Sequence, residues 1–150
     1  MNVARRKFLL LASLAAQMAA LARSSRGEAA GELVIVLHSK NTESPSLSEV
    51  KRIFVGDTTF WPGNVSIHPI VRPADTPAGE AFFHAIRITP SRFRRLWQER
   101  QLSGKGVAPE TILPPAAMLA KVATDVGAIA FATSDEIPSD AQGVRVLLIR

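Results

Sequence analysis

A chain of 150 residues with 47% hydrophobic and 21% charged positions has room for one globular core, and its composition excludes a disordered or a multi-span membrane protein. The absence of cysteine excludes disulfides, thiolate catalysis and cysteine-ligated zinc or iron–sulfur centres. The net charge of +5 makes no case for nucleic-acid binding, because residues 1–30 carry +4 of it (Arg5, Arg6, Lys7, Arg23 and Arg26 against Glu28) and residues 31–150 only +1.

Arg5-Arg6-Lys7 precedes an apolar run from Phe8 to Ala22, the order of a removable signal peptide. A helix of about 15 residues is about 22 Å long, short of the roughly 30 Å of bilayer hydrocarbon, so residues 1–30 are expected to be a signal peptide rather than a membrane span. Cleavage fits either Ala20-Leu21-Ala22 or the neighbourhood of Glu28-Ala29-Ala30. The run is apolar on every side, unlike an amphipathic core helix. Arg5-Arg6-Lys7-Phe8-Leu9 is similar to the twin-arginine export signal, and that resemblance implies a periplasmic destination for one domain over residues 31–150.

Leu33-Val34-Ile35-Val36-Leu37 has the continuous apolar pattern of a strand covered on both faces. Ser46-Leu47-Ser48-Glu49 has the spacing of a capping box, and Leu47, Val50, Ile53 and Phe54 repeat at helical spacing up to Gly56. A turn is expected at Phe60–Asn64. A strand over Ser66–Val71 should be irregular or at an edge because of Pro69. Asp75 or Thr76 can cap a helix that carries Pro77 in its first turn and runs through Glu80–Ile86. Thr89-Pro90 repeats the signal for a helix over Ser91–Gln101, with Phe93, Leu96 and Trp97 on one face. Its arginines, Arg92, Arg94, Arg95 and Arg100, fit a solvated face. A loop at Ser103–Gly106, a helix from Pro114-Pro115 through Val122, a strand at Ala128–Phe131 and a last strand at Val144–Ile149 complete a layered α/β pattern with no internal repeat.

Three segments together resemble the periplasmic phosphate-binding protein family, the solute-binding components of phosphate ABC importers. They are Leu47-Ser48-Glu49-Val50-Lys51-Arg52-Ile53-Phe54-Val55-Gly56, Trp61-Pro62-Gly63 and Val71-Arg72. Gly104-Lys105-Gly106 and Val126-Gly127-Ala128-Ile129-Ala130-Phe131 are similar to later family segments. The resemblance implies an α/β fold with a mixed sheet flanked by helices, equivalent to a single lobe of a periplasmic-binding-protein-like fold. It also implies a small oxyanion, phosphate first, as ligand. In the family the strand's arginine is followed by Ser-Gly-Thr at a helix start. Here Arg72 and Thr76 match, but Pro77 has no N–H and Ala78 no hydroxyl, so weak or absent phosphate affinity is expected.

Arg72, Thr76 and the N–H of Gly79 form the candidate anion pocket, in which the helix dipole would favour negative charge. The competing expectation is that Thr76 only caps the helix while Arg72 pairs with Asp75 or Glu80. Ser39-Lys40-Asn41, just past the carboxyl end of the first strand, and Lys105 between two glycines are further candidate ligand contacts, each readable also as plain loop. No catalytic residue, metal site or cofactor is expected. His38, His68 and His84 lack ligand spacing, and no Gly-x-Ser-x-Gly elbow occurs. The expected partners are an ABC permease, a membrane sensor or a second copy, with a ligand-free interaction or sensory accessory module as the alternative to solute binding.

Overall fold

In the computed structural model, which describes residues 31–149, the first apolar run becomes β1 (Leu33–His38), in which Val34 to His38 are all buried. The signal peptide and its export motif lie outside the described residues. Ser46 caps α1 (Leu47–Phe54): its hydroxyl accepts the Glu49 N–H while the Glu49 carboxylate accepts the Ser46 N–H. Of the turn expected at Phe60–Asn64, residues 62–64 close a small hairpin, while Phe60–Trp61 pairs as its first strand: β2 (Phe60–Trp61) and β3 (Val65–Ser66). The strand that follows is shorter than expected, β4 (His68–Val71). Pro69 precedes the two-residue ladder to the next strand, so β4 is an outer strand at that position, where a proline without an N–H is tolerated.

Thr76 and Thr89 cap α2 (Pro77–Ile86) and α3 (Pro90–Leu102), each with proline in the first turn. The chain continues through β5 (Glu110–Thr111), α4 (Pro115–Thr124), β6 (Ala128–Thr133), a 3-10 turn at Ser134–Glu136, and β7 (Val144–Leu148). The main sheet has the order β5-β4-β6-β1-β7. β4 runs parallel to β5 and β6, whereas β1 runs antiparallel to β6 and β7, so the sheet is mixed.

Alternation along the central strands builds a core on each face. Ile35, Leu37, Ile129 and Phe131 pack under α1, α2 and α3, while Val34, Val36, Ala128, Ala130 and Ala132 meet Met118 and Val122 of α4. The first face is aromatic: the Phe82 and Phe131 rings stack at 3.8 Å and Phe54 meets Phe82 edge-on at 4.7 Å. Burying each such ring contributes about 1.5–3 kcal/mol. Both tryptophans pin elements together: Trp61 Nε1 donates to the Gly127 carbonyl at 3.1 Å and Trp97 Nε1 to the Phe54 carbonyl at 3.0 Å.

Candidate functional site

β4 delivers Arg72 to the carboxyl end of the parallel strands, and Pro73–Asp75 then turns the chain into α2. The Arg72 side chain is buried, with 1% of the residue exposed. Its partner is neither Asp75 nor Glu80. Arg72 NH1 donates to one oxygen of Glu136 at 3.0 Å and NH2 to the other at 2.9 Å, while NH2 also donates to the Leu113 carbonyl at 2.8 Å. Glu136 in turn accepts the Thr133 N–H at 3.1 Å, closing the capping box of the 3-10 turn. One carboxylate thus ties the end of β6 to the end of β4. The Nε–H of Arg72 is buried with no partner.

Thr76 caps α2 from both directions. Its hydroxyl donates to the Pro73 carbonyl at 2.6 Å and accepts the Gly79 N–H at 3.1 Å. Gly79 is fitted against the Pro73–Ala74 turn so closely that a Cβ there would overlap the Pro73 carbonyl oxygen. The three residues expected to hold an anion are therefore neighbours, but Thr76 and Gly79 satisfy each other and Arg72 holds an internal carboxylate.

The other candidates lie elsewhere. Because β1 is antiparallel to β6 and β4 is parallel to it, the carboxyl end of β1 sits at the far end of the sheet from Arg72, about 20 Å away along a six-residue strand. There the Ser39 N–H donates to the Gly143 carbonyl, the Lys40 N–H to His38 Nδ1 at 3.0 Å, and Asn41 Oδ1 accepts the Glu43 N–H at 2.9 Å. Arg145, which sequence reasoning passed over, fastens this loop: its Nε donates to the Asn41 carbonyl at 2.9 Å and NH2 to that of Glu43. Lys105 is exposed and lines a pocket of about 540 Å³ with Thr58, His68 and Asp125, near the amino end of β4. In that pocket His68 Nδ1 lies 2.7 Å from Asp125. Neither Ser39–Asn41 nor Lys105 joins Arg72.

Among titratable groups near the site, Asp135 has its carboxyl held below the usual carboxylate range by a hydrogen bond from the Thr133 hydroxyl, then by the backbone N–H groups of Asp135 and Gly31. Among the described residues no cluster of histidine and carboxylate side chains has the form of a metal site, and no helix is long and apolar enough to cross a membrane.

This arrangement, a mixed sheet covered by helices on both faces with a helix start at the carboxyl end of β4, defines one lobe of a periplasmic-binding-protein-like fold. Solved structures agree. A protein from Clostridium perfringens, assigned as a phosphate ABC transporter substrate-binding protein and crystallised with bound phosphate, superposes with a TM-score of 0.60 at 14% identity, over 79% of this chain and 44% of that one. A possible phosphate binding protein from Planctomyces limnophilus gives 0.56 at 16% identity, over 79% and 41%. An ABC-type phosphate transport receptor from Vibrio cholerae gives 0.51 at 17%, over 77% and 45%. The chain thus spans less than half the length of these proteins, and at such identities the likeness is one of fold. No family model and no curated protein matches the sequence.

Proposed function

We propose that the chain is exported and carries a lobe of the solute-binding fold that works as an interaction or sensory accessory module. It would contact a membrane permease, a membrane sensor or a second copy, with no oxyanion held at Arg72. The observation that carries this reading is the bidentate pair between Arg72 and Glu136, which neutralises from inside the charge that would attract phosphate. An incoming anion would have to displace a carboxylate already desolvated with its partner, and would find neither an N–H on Pro77 nor a free one on Gly79. Export rests on the order of Arg5-Arg6-Lys7 and the apolar run to Ala22.

Titration calorimetry of inorganic phosphate into the full chain, with sulfate as control, is expected to give no saturable heat. Sedimentation over a concentration series is expected to show a rising mass that phosphate does not alter. A mass that stays monomeric leaves the permease or the sensor as the partner. Saturable phosphate heat with a micromolar Kd, about −8 kcal/mol, would overturn this reading. It would favour the second reading, weak oxyanion binding for transport or signalling at Arg72, Thr76 and Gly79. One observation supports that alternative: the Arg72 Nε–H is a buried donor still without a partner.

A further inference from the structure

We infer that the cavity between α3 and the β4–β5 edge of the sheet is a binding site for a small apolar carboxylate, of the size and chemistry of an arylacetate. It does not rest on the reading above: Arg72 lines the cavity, but the polar groups that would hold the ligand, Arg94 and Gln98, are on α3. Its volume of about 330 Å³ falls in the range of small-molecule pockets.

The walls are largely apolar, with Pro73, Pro90, Ala108 and Pro109 beside three aromatic residues. Phe83, Phe93 and Trp97 line the cavity, with Phe83 and Phe93 edge-to-face at 5.4 Å and Phe93 and Trp97 at 6.5 Å. The hydrogen bond of Trp97 Nε1 to the Phe54 carbonyl fixes that ring, so the indole offers the cavity apolar surface and no donor. Such walls favour an aromatic or aliphatic group by burial and ring–ring contact.

The polar groups point to the opposite end of the ligand. Arg94 and Gln98 reach the cavity from the exposed face of α3, and no aspartate or glutamate lines it. Arg94 has no ion-pair partner among the described residues, unlike Arg100, which pairs with Asp57 at 2.6 Å. Arg72 also lines the cavity, but its guanidinium is committed to Glu136 and the Leu113 carbonyl, which leaves the anion to Arg94. The unpaired Arg94 guanidinium and the Gln98 amide beside apolar walls select an acceptor-bearing anion on an apolar body. An ammonium group would meet a like charge, and a polyol would leave most of its hydroxyls against rings.

The test is calorimetric titration of phenylacetate into the full chain, with phenethylamine and acetate as controls. Saturable binding of phenylacetate that neither control matches is the expected result. Arg94→Glu should weaken it by about tenfold or more, the loss of one charge-assisted contact. Arg95→Glu, one residue along the same helix and outside the cavity, should leave it unchanged. Both arginines are exposed, so neither variant threatens the fold. Three results would overturn the assignment: no saturation by phenylacetate, equal binding of phenethylamine, or an equal loss in both variants.

Discussion

At the scale of the residue, Arg72 is the position on which every reading of the site turns. Its role as the end of β4 was legible, because Val71-Arg72 ahead of a capped helix is a short-range pattern. Its partner was not: Glu136 lies 64 residues further on, and the nearer acids Asp75 and Glu80 were the natural expectation. Glu136 could be recognised locally only as the third residue of the Thr133 capping box, a role compatible with any distant contact. With the Arg72 side chain 2% and that of Glu136 19% accessible, breaking the pair strands a charge in a poor solvent for it. Glu136→Ala is therefore expected to lower the unfolding free energy by about 3–5 kcal/mol in urea denaturation. The double variant Arg72→Met, Glu136→Leu should lose less than that single change, because it leaves no buried charge uncompensated. A larger loss in the double variant would mean that the pair contributes through packing rather than charge.

At the scale of the element, the caps were read correctly because a cap is a contact between residues three apart. Ser46 and Thr89 stand where their sequence spacing placed them, Thr76 rather than Asp75 takes the cap of α2, and all three hydroxyls accept a helix N–H. Strand direction and the shortest strands were not legible. β2, β3 and β5 have two residues each, too few for a periodic signal, and the sense of β1 is fixed only by pairing with β6 and β7, far along the chain. That is why Ser39–Asn41 was expected near the ligand end of the sheet and lies at the other. Two predictions belong here. Ser46→Ala should cost about 1 kcal/mol of stability, the worth of a helix cap. It should also change the response to acid. The Ser46 hydroxyl first, and then its N–H, hold the Glu49 carboxyl below its ordinary value in the folded chain. A lowered folded-state value stabilises above the unfolded carboxylate range and is lost as pH falls through it, so thermal melts of the variant should show a shallower decline on acidification. Gly79→Ala should destabilise by about 1–3 kcal/mol, since the new methyl meets the backbone of Pro73 and Ala74 rather than a side chain that can swing away. A melting temperature for Gly79→Ala equal to that of the parent would mean that the Pro73–Ala74 turn yields freely.

At the scale of the whole molecule, the described residues match under half the length of the structural neighbours, and their core has to be built within that span. The described unit meets that requirement by building a core on both faces of one sheet. The two cores are not separate structures: β1 gives Ile35 and Leu37 to one and Val34 and Val36 to the other, and β6 divides its residues in the same way. Opening either face removes one side of strands on which the other face depends, so unfolding should be a single cooperative transition. Met118 tests this, because it is fully buried against the α4 face, whereas both tryptophans belong to the opposite core. Met118→Ala should cost about 2–5 kcal/mol by leaving a cavity, a large share of the roughly 5–15 kcal/mol that holds a domain together. If the faces are coupled, tryptophan fluorescence must register that loss in full although no tryptophan touches the altered site. Its midpoint in urea should then coincide with that from far-ultraviolet circular dichroism in parent and variant alike. A circular-dichroism curve that falls earlier while fluorescence stays at the parent midpoint would mean that α4 can leave the sheet by itself. The α4 face would then be the part of the lobe free to rearrange when a partner docks.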